Sequence, residues 1–355
     1  MQKLMRKNLY IYLVIGICLI FSGKSFSQTP QALSRIGLFL NDGVMYSDKY
    51  ITPATDAAVY QSSSGWMTSP KKRKLYAVTL GVYGNAFFVP KGDRSFEISN
   101  SDFSFFTIQD LSGNPVSTTE GPATMPTSLG GQSQYYLIGQ LDDNNQIIME
   151  SPNGVNQESI IYPYLQGSIS LWKGFEFAAK YSSKVNLKRG NYQVYGFGLK
   201  HNFNQYFSGL NKRKINLAAL IAYSKEDISF DFIDPITTFG TLGISQINGL
   251  VSTTQFQLSI SKEWKKFELM FSSIVNNSDF KYEFGGEKGT IDQVITINNQ
   301  TVREEFNKRL ESIYKNKYIG LVEFSGRYQF SKFYVQSSVA FGKFVNTNLS
   351  VQYEF

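Results

Sequence analysis

Residues 344–355 read FVNTNLSVQYEF. Val345, Thr347, Leu349, Val351, Tyr353 and Phe355 alternate with Asn346, Asn348, Ser350, Gln352 and Glu354. Successive side chains of a strand point to opposite faces, so this stretch makes a ribbon greasy on one side and wet on the other. Soluble domains rarely end on such a strand. The expectation is that Leu349, Val351, Tyr353 and Phe355 form a C-terminal signal, and that this strand closes a barrel in a bacterial outer membrane.

The same alternation recurs along the chain. LYAVTLGVYGNAFFVP (75–90) puts Tyr76, Val78, Leu80, Val82, Ala86 and Phe88 on one face. KGFEFAAKY (173–181) does so with Phe175, Phe177, Ala179 and Tyr181, and KINLAALIAYS (214–224) with Ile215, Leu217, Ala219, Ile221 and Tyr223. The opposite faces carry Thr79, Asn85, Gln166, Ser168, Glu176, Lys180, Gln255, Gln257, Glu268 and Ser272. Stretches of about ten residues alternating in this way are the signature of a transmembrane β-barrel.

A soluble sandwich also alternates, with its apolar face inward. Aromatic placement at strand ends separates the two. LWKGFEF, EWKKFEL and QFSKFYV flank tight turns with Trp172 and Phe175, Trp264 and Phe267, and Phe330 and Phe333. This matches an aromatic girdle where a barrel wall meets lipid headgroups. A backbone crossing lipid must satisfy its N–H and C=O groups internally, so the strands must close on themselves. The predicted fold is therefore all-β: an antiparallel transmembrane barrel over residues 75–355. Eleven strands are counted, and bacterial barrels have even numbers. With Tyr135–Leu141 as a further strand, 12–14 are expected. Lys173-Gly174, Lys265-Lys266 and Ser331-Lys332 become periplasmic turns, and 108–158, 231–250 and 285–316 become external loops.

Residues 1–27 read as a secretory signal peptide. Lys3, Arg6 and Lys7 precede an apolar run from Leu9 to Phe21, and small Ser25 and Ser27 mark the cleavage site. The run is short of the roughly 20 residues a spanning helix needs. Ile17 stands where a lipoprotein has a small residue before its cysteine, so Cys18 is not read as lipidated. Cleavage removes four of the 35 basic residues and none of the 28 acidic ones, leaving a net charge of +3. That surplus is too weak to point to nucleic acid. Cleavage also removes the only cysteine, and with it any disulfide.

Residues 28–74 alternate poorly and contain Pro53 and Pro70. They are too few to bury a core of their own, yet carry Ile36, Leu38, Phe39, Met45, Tyr60 and Trp66. A lumenal plug would cover these side chains; a disordered periplasmic lead is the other reading. Lys71-Lys72-Arg73-Lys74 is read as a solvated charge run, with phosphate or lipid-headgroup contact as the alternative. In residues 300–317, Val302, Phe306, Leu310 and Ile313 recur at helical spacing behind a Thr301/Glu304 capping box. This helix would cap the pore or pad its rim.

Signs of catalysis are sparse. The single histidine, His201, is read as an interfacial polar residue, so no enzyme is expected. Without a second histidine or a surviving cysteine no zinc site is expected. Asn41-Asp42-Gly43 and Asp142–Asn145 are read as acidic turns, and no cofactor is expected.

In YITPATDAAVYQSSSGWMTSPKKRKLYAVTLGVYGNAFFVP (50–90), YPYLQGSISLWKGFEFAAKYS (162–182) and YGFGLKHNFNQYF (195–207), the chain resembles an uncharacterised outer-membrane barrel family common in Bacteroidota. A segment placed ahead of a barrel is also similar in architecture to the FadL-type transporters of hydrophobic compounds, whose N-terminal hatch fills the lumen. TPATDAA (52–58) only loosely echoes that family's Asn-Pro-Ala hatch signature. The resemblance implies passage of small hydrophobic molecules through a plugged pore in the outer membrane of a Gram-negative bacterium. The alternative is a scaffold for another envelope or secretion protein. The expected partners are outer-membrane lipid, the barrel-assembly machinery and a small hydrophobic ligand.

Overall fold

A computed structural model describes residues 30–116, 121–143, 145–237, 240–290, 297 and 300–355. The segment read as a signal peptide, with Ser25 and Ser27 at its expected cleavage site, lies outside the described residues.

The wall has ten strands: β1 (Val78–Phe88), β2 (Ser159–Ser170), β3 (Phe175–Tyr181), β4 (Asn191–Asn202), β5 (Ile215–Asp231), β6 (Gln246–Trp264), β7 (Phe267–Gly285), β8 (Lys315–Phe330), β9 (Phe333–Phe341) and β10 (Val345–Glu354). Each pairs antiparallel with its neighbours in sequence, and β10 pairs β1 from Thr79 opposite Glu354 to Phe88 opposite Val345. The Phe355 N–H extends this seam by donating to the Val78 carbonyl at 2.9 Å. No edge is left, which is the condition for a sheet in lipid.

Polarity is inverted relative to a soluble domain. Along β7, outward Phe267, Leu269, Phe271 and Val275 are exposed, whereas inward Glu268, Ser272, Asn276 and Ser278 are buried. On β6 the outward row is Phe256, Leu258, Ile260 and Trp264, and Gln255, Gln257, Ser259 and Ser261 face the lumen. A continuous apolar belt of this size on a folded monomer needs a covering solvent other than water. The protein is a transmembrane β-barrel of the outer-membrane type.

Strand number and length depart from the sequence reading. Ten strands, not 12–14, close the barrel, because Tyr135–Leu141 is not in the wall. It belongs to Tyr135–Asp142 in a five-stranded external sheet with Phe106–Asp110, Asn145–Glu150, Ile236–Thr237 and Gly240–Thr241. The long strands also run past the belt. Beyond Val275, β7 turns polar outside (Asp279, Lys281, Glu283) and apolar inside (Phe280, Tyr282, Phe284). The outer half of the barrel thus packs like a soluble core in water. The three long external connections therefore span 89–158, 232–245 and 286–314, and differ in extent from the expected 108–158, 231–250 and 285–316; short ones at 182–190 and 342–344 complete this end.

Residues 30–63 form one helix, α1 (Pro30–Ser63). Asn41-Asp42-Gly43 is part of it rather than a turn. At 1.5 Å per residue its 34 residues extend about 51 Å, longer than the roughly 30 Å hydrocarbon core. A narrow ten-stranded barrel admits it because the inward rows are rich in small Ser, Thr, Ala and Gly. Gly249, for example, abuts Thr55, and Ala218 and Ala222 sit in one cluster with Trp66. A second helix, α2 (Val302–Leu310), lies across the loop end and packs on α1 through Phe306 against Phe39, with ring centroids 5.9 Å apart.

Candidate functional site

The lumen is the candidate site. From the loop end, α1 first crosses the external layer. Asp42 accepts the N–H groups of Ser104, Phe105 and Phe106, the nearest at 2.7 Å, and the Tyr50 carbonyl accepts the N–H of Ser128 at 2.9 Å. Pro53, inside the helix, lacks the N–H that would donate to the Lys49 carbonyl, the residue before Tyr50. Deeper in, carboxylates on the helix meet lysines of β8 and of the short connection before β10. Asp48 pairs with Lys315, and Asp56 with Lys317 at 2.6 Å and Lys343 at 3.6 Å.

Below the helix, residues 64–70 are buried in the barrel interior. Gly65 has φ +75°, and a Cβ there would meet the Tyr164 hydroxyl at 2.5 Å, so the sharp exit from the helix requires glycine. Glu323 of β8 accepts from Ser64 Oγ at 2.8 Å and the Gly65 N–H at 2.9 Å. Lys180 of β3 donates to the Ser62 and Ser64 carbonyls at 2.9 and 2.8 Å. Gln166 and Gln336 donate to the Trp66 and Met67 carbonyls, satisfying backbone that has no ladder partner. Lower still, Glu176 joins Arg73 at 2.8 Å and Lys200 at 2.7 Å, all three side chains buried.

Two spaces flank this column. At the loop end a narrow pocket of about 40 Å³ lies between α1 and the external connections. Its lining is almost wholly apolar, with Phe39, Tyr46, Phe106, Phe232, Phe284 and Phe306 prominent. Gly43 brings the backbone of α1 against Phe306: a Cβ would fall 2.2 Å from that ring. The Thr301 backbone N–H, then its hydroxyl, holds the Glu304 carboxyl below its usual range at the start of α2. At the turn end lies an open cleft of about 610 Å³.

Most residues singled out from the sequence fall on the outer surface, away from the lumen; Arg73 of the 71–74 run, expected to be solvated, is instead buried because Glu176 pairs with it inside the barrel. Trp172, Trp264, Phe267, Phe330 and Phe333 are exposed at the turn end, and Phe175 there packs its ring on His201. Leu349, Val351 and Phe355 point outward, and Tyr353 is half-buried between the rings of Phe333 and Phe355. His201 shares this rim with Phe203, and its nearest polar partner is the Tyr206 hydroxyl at 3.3 Å. Among the described residues no group of three His, Cys, Asp or Glu side chains is placed to hold a metal. The column of charges through the lumen was not singled out, although Glu176, Lys180 and Glu268 stand on the polar face of their strands. Ionisable residues on the inner face of a membrane wall were the available signal.

The profile of the "Family of unknown function (DUF6588)" matches residues 5–355. The chain belongs to this family. No curated protein sequence matches it significantly. Among solved structures, the translocator domain of the autotransporter NalP from Neisseria meningitidis aligns at 8% identity and TM-score 0.32, covering 86% of this chain and 98% of its own. The outer membrane protease OmpT from Escherichia coli aligns at 9% identity and TM-score 0.28, over 81% and 100%. The COG4313 outer membrane channel from Pseudomonas putida F1 aligns at 10% identity and TM-score 0.27, over 82% and 100%.

Proposed function

We propose that this DUF6588 barrel passes small hydrophobic molecules across the outer membrane, with residues 28–74 as its plug. The observation that carries the reading is an apolar, aromatic pocket at the loop end, directly against a helix that continues down the lumen. Sites for small ligands combine apolar lining with few polar groups. This pocket is narrow, so cargo enters as α1 and the loops part. The break in the helical ladder at Pro53 gives α1 a hinge.

The test uses proteoliposomes. Deleting residues 28–70 should accelerate swelling in small sugars, and unchanged swelling would count against the plug. In the full chain, Gly43→Val should push Phe306 into the pocket and slow entry of a medium-chain fatty acid, leaving sugar swelling as it was. Equal fatty-acid entry in both proteins would reject hydrophobic passage by this route.

A second reading, a scaffold for another envelope protein, is supported by exposed Leu111, Ile148 and Ile233 on the external connections. Stoichiometric co-purification of a partner, lost in Ile148→Asp, would favour it.

A further inference from the structure

The chain leaves the lumen through residues 71–77, and with the turns at 263–268 and 327–334 these build the 610 Å³ cleft at the turn end. Eight basic and three acidic side chains line it. Three of the basic groups are engaged: Lys71 with Glu263 at 2.7 Å, Arg73 with Glu176 at 2.8 Å and Glu354 at 3.2 Å, and Arg327 with Glu268 at 3.7 Å. Lys72, Lys74, Lys265, Lys266 and Lys332 face the same space with no carboxylate within ion-pairing distance among the described residues. Five unpaired ammonium groups around one cleft attract an anion.

A second feature points to a ligand. Arg327 is only 6% exposed, yet its Nε and Nη2 have no hydrogen-bond partner. Its guanidinium stacks 3.6 Å from the Tyr334 ring, and its nearest carboxylate, Glu268, is at 3.7 Å. A guanidinium paired on one side only, in the wall of a basic cleft, adds positive charge there for the oxygens of a phosphate.

The remaining lining gives the rest of that ligand. Leu75, Tyr76, Phe267 and Phe355 are exposed on the lipid-facing belt and line the same cleft. The site is therefore basic inside and greasy where it opens to the membrane. We propose that it holds the headgroup of an anionic phospholipid of the adjoining leaflet, with the phosphate among the unpaired lysines and the acyl chains against Leu75, Tyr76 and Phe267. Basic pockets at the ends of membrane segments bind such headgroups, with roughly fivefold in affinity per lysine. The bound lipid would touch the emerging plug and two hairpin turns together. This site does not depend on what crosses the lumen.

The test is native mass spectrometry of the full-length protein in mild detergent, titrated with phosphatidylglycerol or with phosphatidylcholine of the same chains. Phosphatidylglycerol should be retained at least tenfold more tightly. The variant K72Q/K266Q/K332Q should lose about a hundredfold of that affinity. A matched loss of charge at the loop end, K184Q/K188Q/K288Q, should leave it within twofold. Heat-modified mobility on gels checks each fold; if the triple variant fails that check, the single substitutions are read, each at about fivefold. Equal retention of the two lipids, or equal losses in the two triple variants, would overturn the site. So would full displacement of the lipid by millimolar glycerol 1-phosphate, which would assign the cleft to soluble phosphates.

Discussion

The Nζ of Lys180 lies 4.5 Å from the ring of Trp66, and donates to the two carbonyls, Ser62 and Ser64, that flank the end of α1. One wall residue thus holds the helix terminus, where carbonyls lack intrahelical partners. Lys180→Met keeps the stem and removes the ammonium, leaving the buried Ser64 carbonyl unsatisfied and the Ser62 carbonyl with the Trp66 indole as its donor. Unfolding in urea, followed by gel mobility, should show a loss of about 1–3 kcal/mol. Trypsin should then cut within residues 71–74 faster than in the parent. An unchanged midpoint would show that the helix end is held elsewhere.

Glu176 binds two cations at once, and all three side chains are buried. Removing one member of such a group leaves uncompensated charge and costs about 3–5 kcal/mol. Glu176→Gln should therefore destabilise more than Lys200→Met, which leaves the Arg73–Glu176 pair intact. The double variant should recover part of the loss, and a double-mutant cycle gives the coupling. Additive losses would mean that the three charges are screened from one another.

At the loop end, Thr301 and Glu304 cap α2 reciprocally. Thr301→Ala should cost about 1 kcal/mol of local stability, read as faster amide exchange through 302–310. The Glu304 carboxyl is held below its usual range, by the Thr301 backbone N–H and then its hydroxyl. A depressed folded value means that stabilisation is present above the unfolded value and fades as pH falls through the folded one. Protection of α2 should therefore decline below about pH 4, and Glu304→Gln should flatten that decline.

The wall was legible in the sequence because lipid outside and a polar lumen inside enforce a period of two. Rows such as Phe267, Leu269, Phe271 and Val275 against Glu268, Ser272 and Asn276 cannot be mistaken. The hairpin turns were legible for the same reason, since aromatics mark where that pattern meets water. The helix was not. α1 buries Ile36, Phe39, Leu40, Tyr50 and Ile51, but also Asp42, Ser47, Thr55, Gln61 and Ser62, because polar partners reach it both in the external layer and at the lower end of the lumen. Burial on every side erases the contrast between faces on which a helical period depends, and Pro53 added a false stop. Strand number was overestimated because Tyr135–Leu141 alternates like a wall strand. Its partner is the short external sheet, and pairing is not written in alternation. The charged column at Lys180, Glu176 and Glu323 joins strands far apart in sequence to residues 64–73, so only folding brings it together.

Hydrocarbon against the outward rows is the physical claim beneath all of this, and the three tryptophans test it. Trp172 and Trp264 are 63% and 49% exposed on the turn-end rim, whereas Trp66 is 2% exposed within the lumen. In a transmembrane barrel the first two touch the interfacial region that indole rings favour, and the third is shielded by the wall. Three single-tryptophan variants, with the other two changed to Phe, should separate in bilayers containing lipids brominated near the headgroup. Emission from Trp172 and Trp264 should be strongly quenched, and emission from Trp66 should match that in unbrominated bilayers. Aqueous iodide should reach Trp66 poorly as well, because the indole Nε1 donates to the Ser62 carbonyl at 2.7 Å in a closed cluster with Met67 and Ala218. Quenching of Trp66 as deep as that of Trp264 would mean that the polar face, not the apolar one, lies against the membrane.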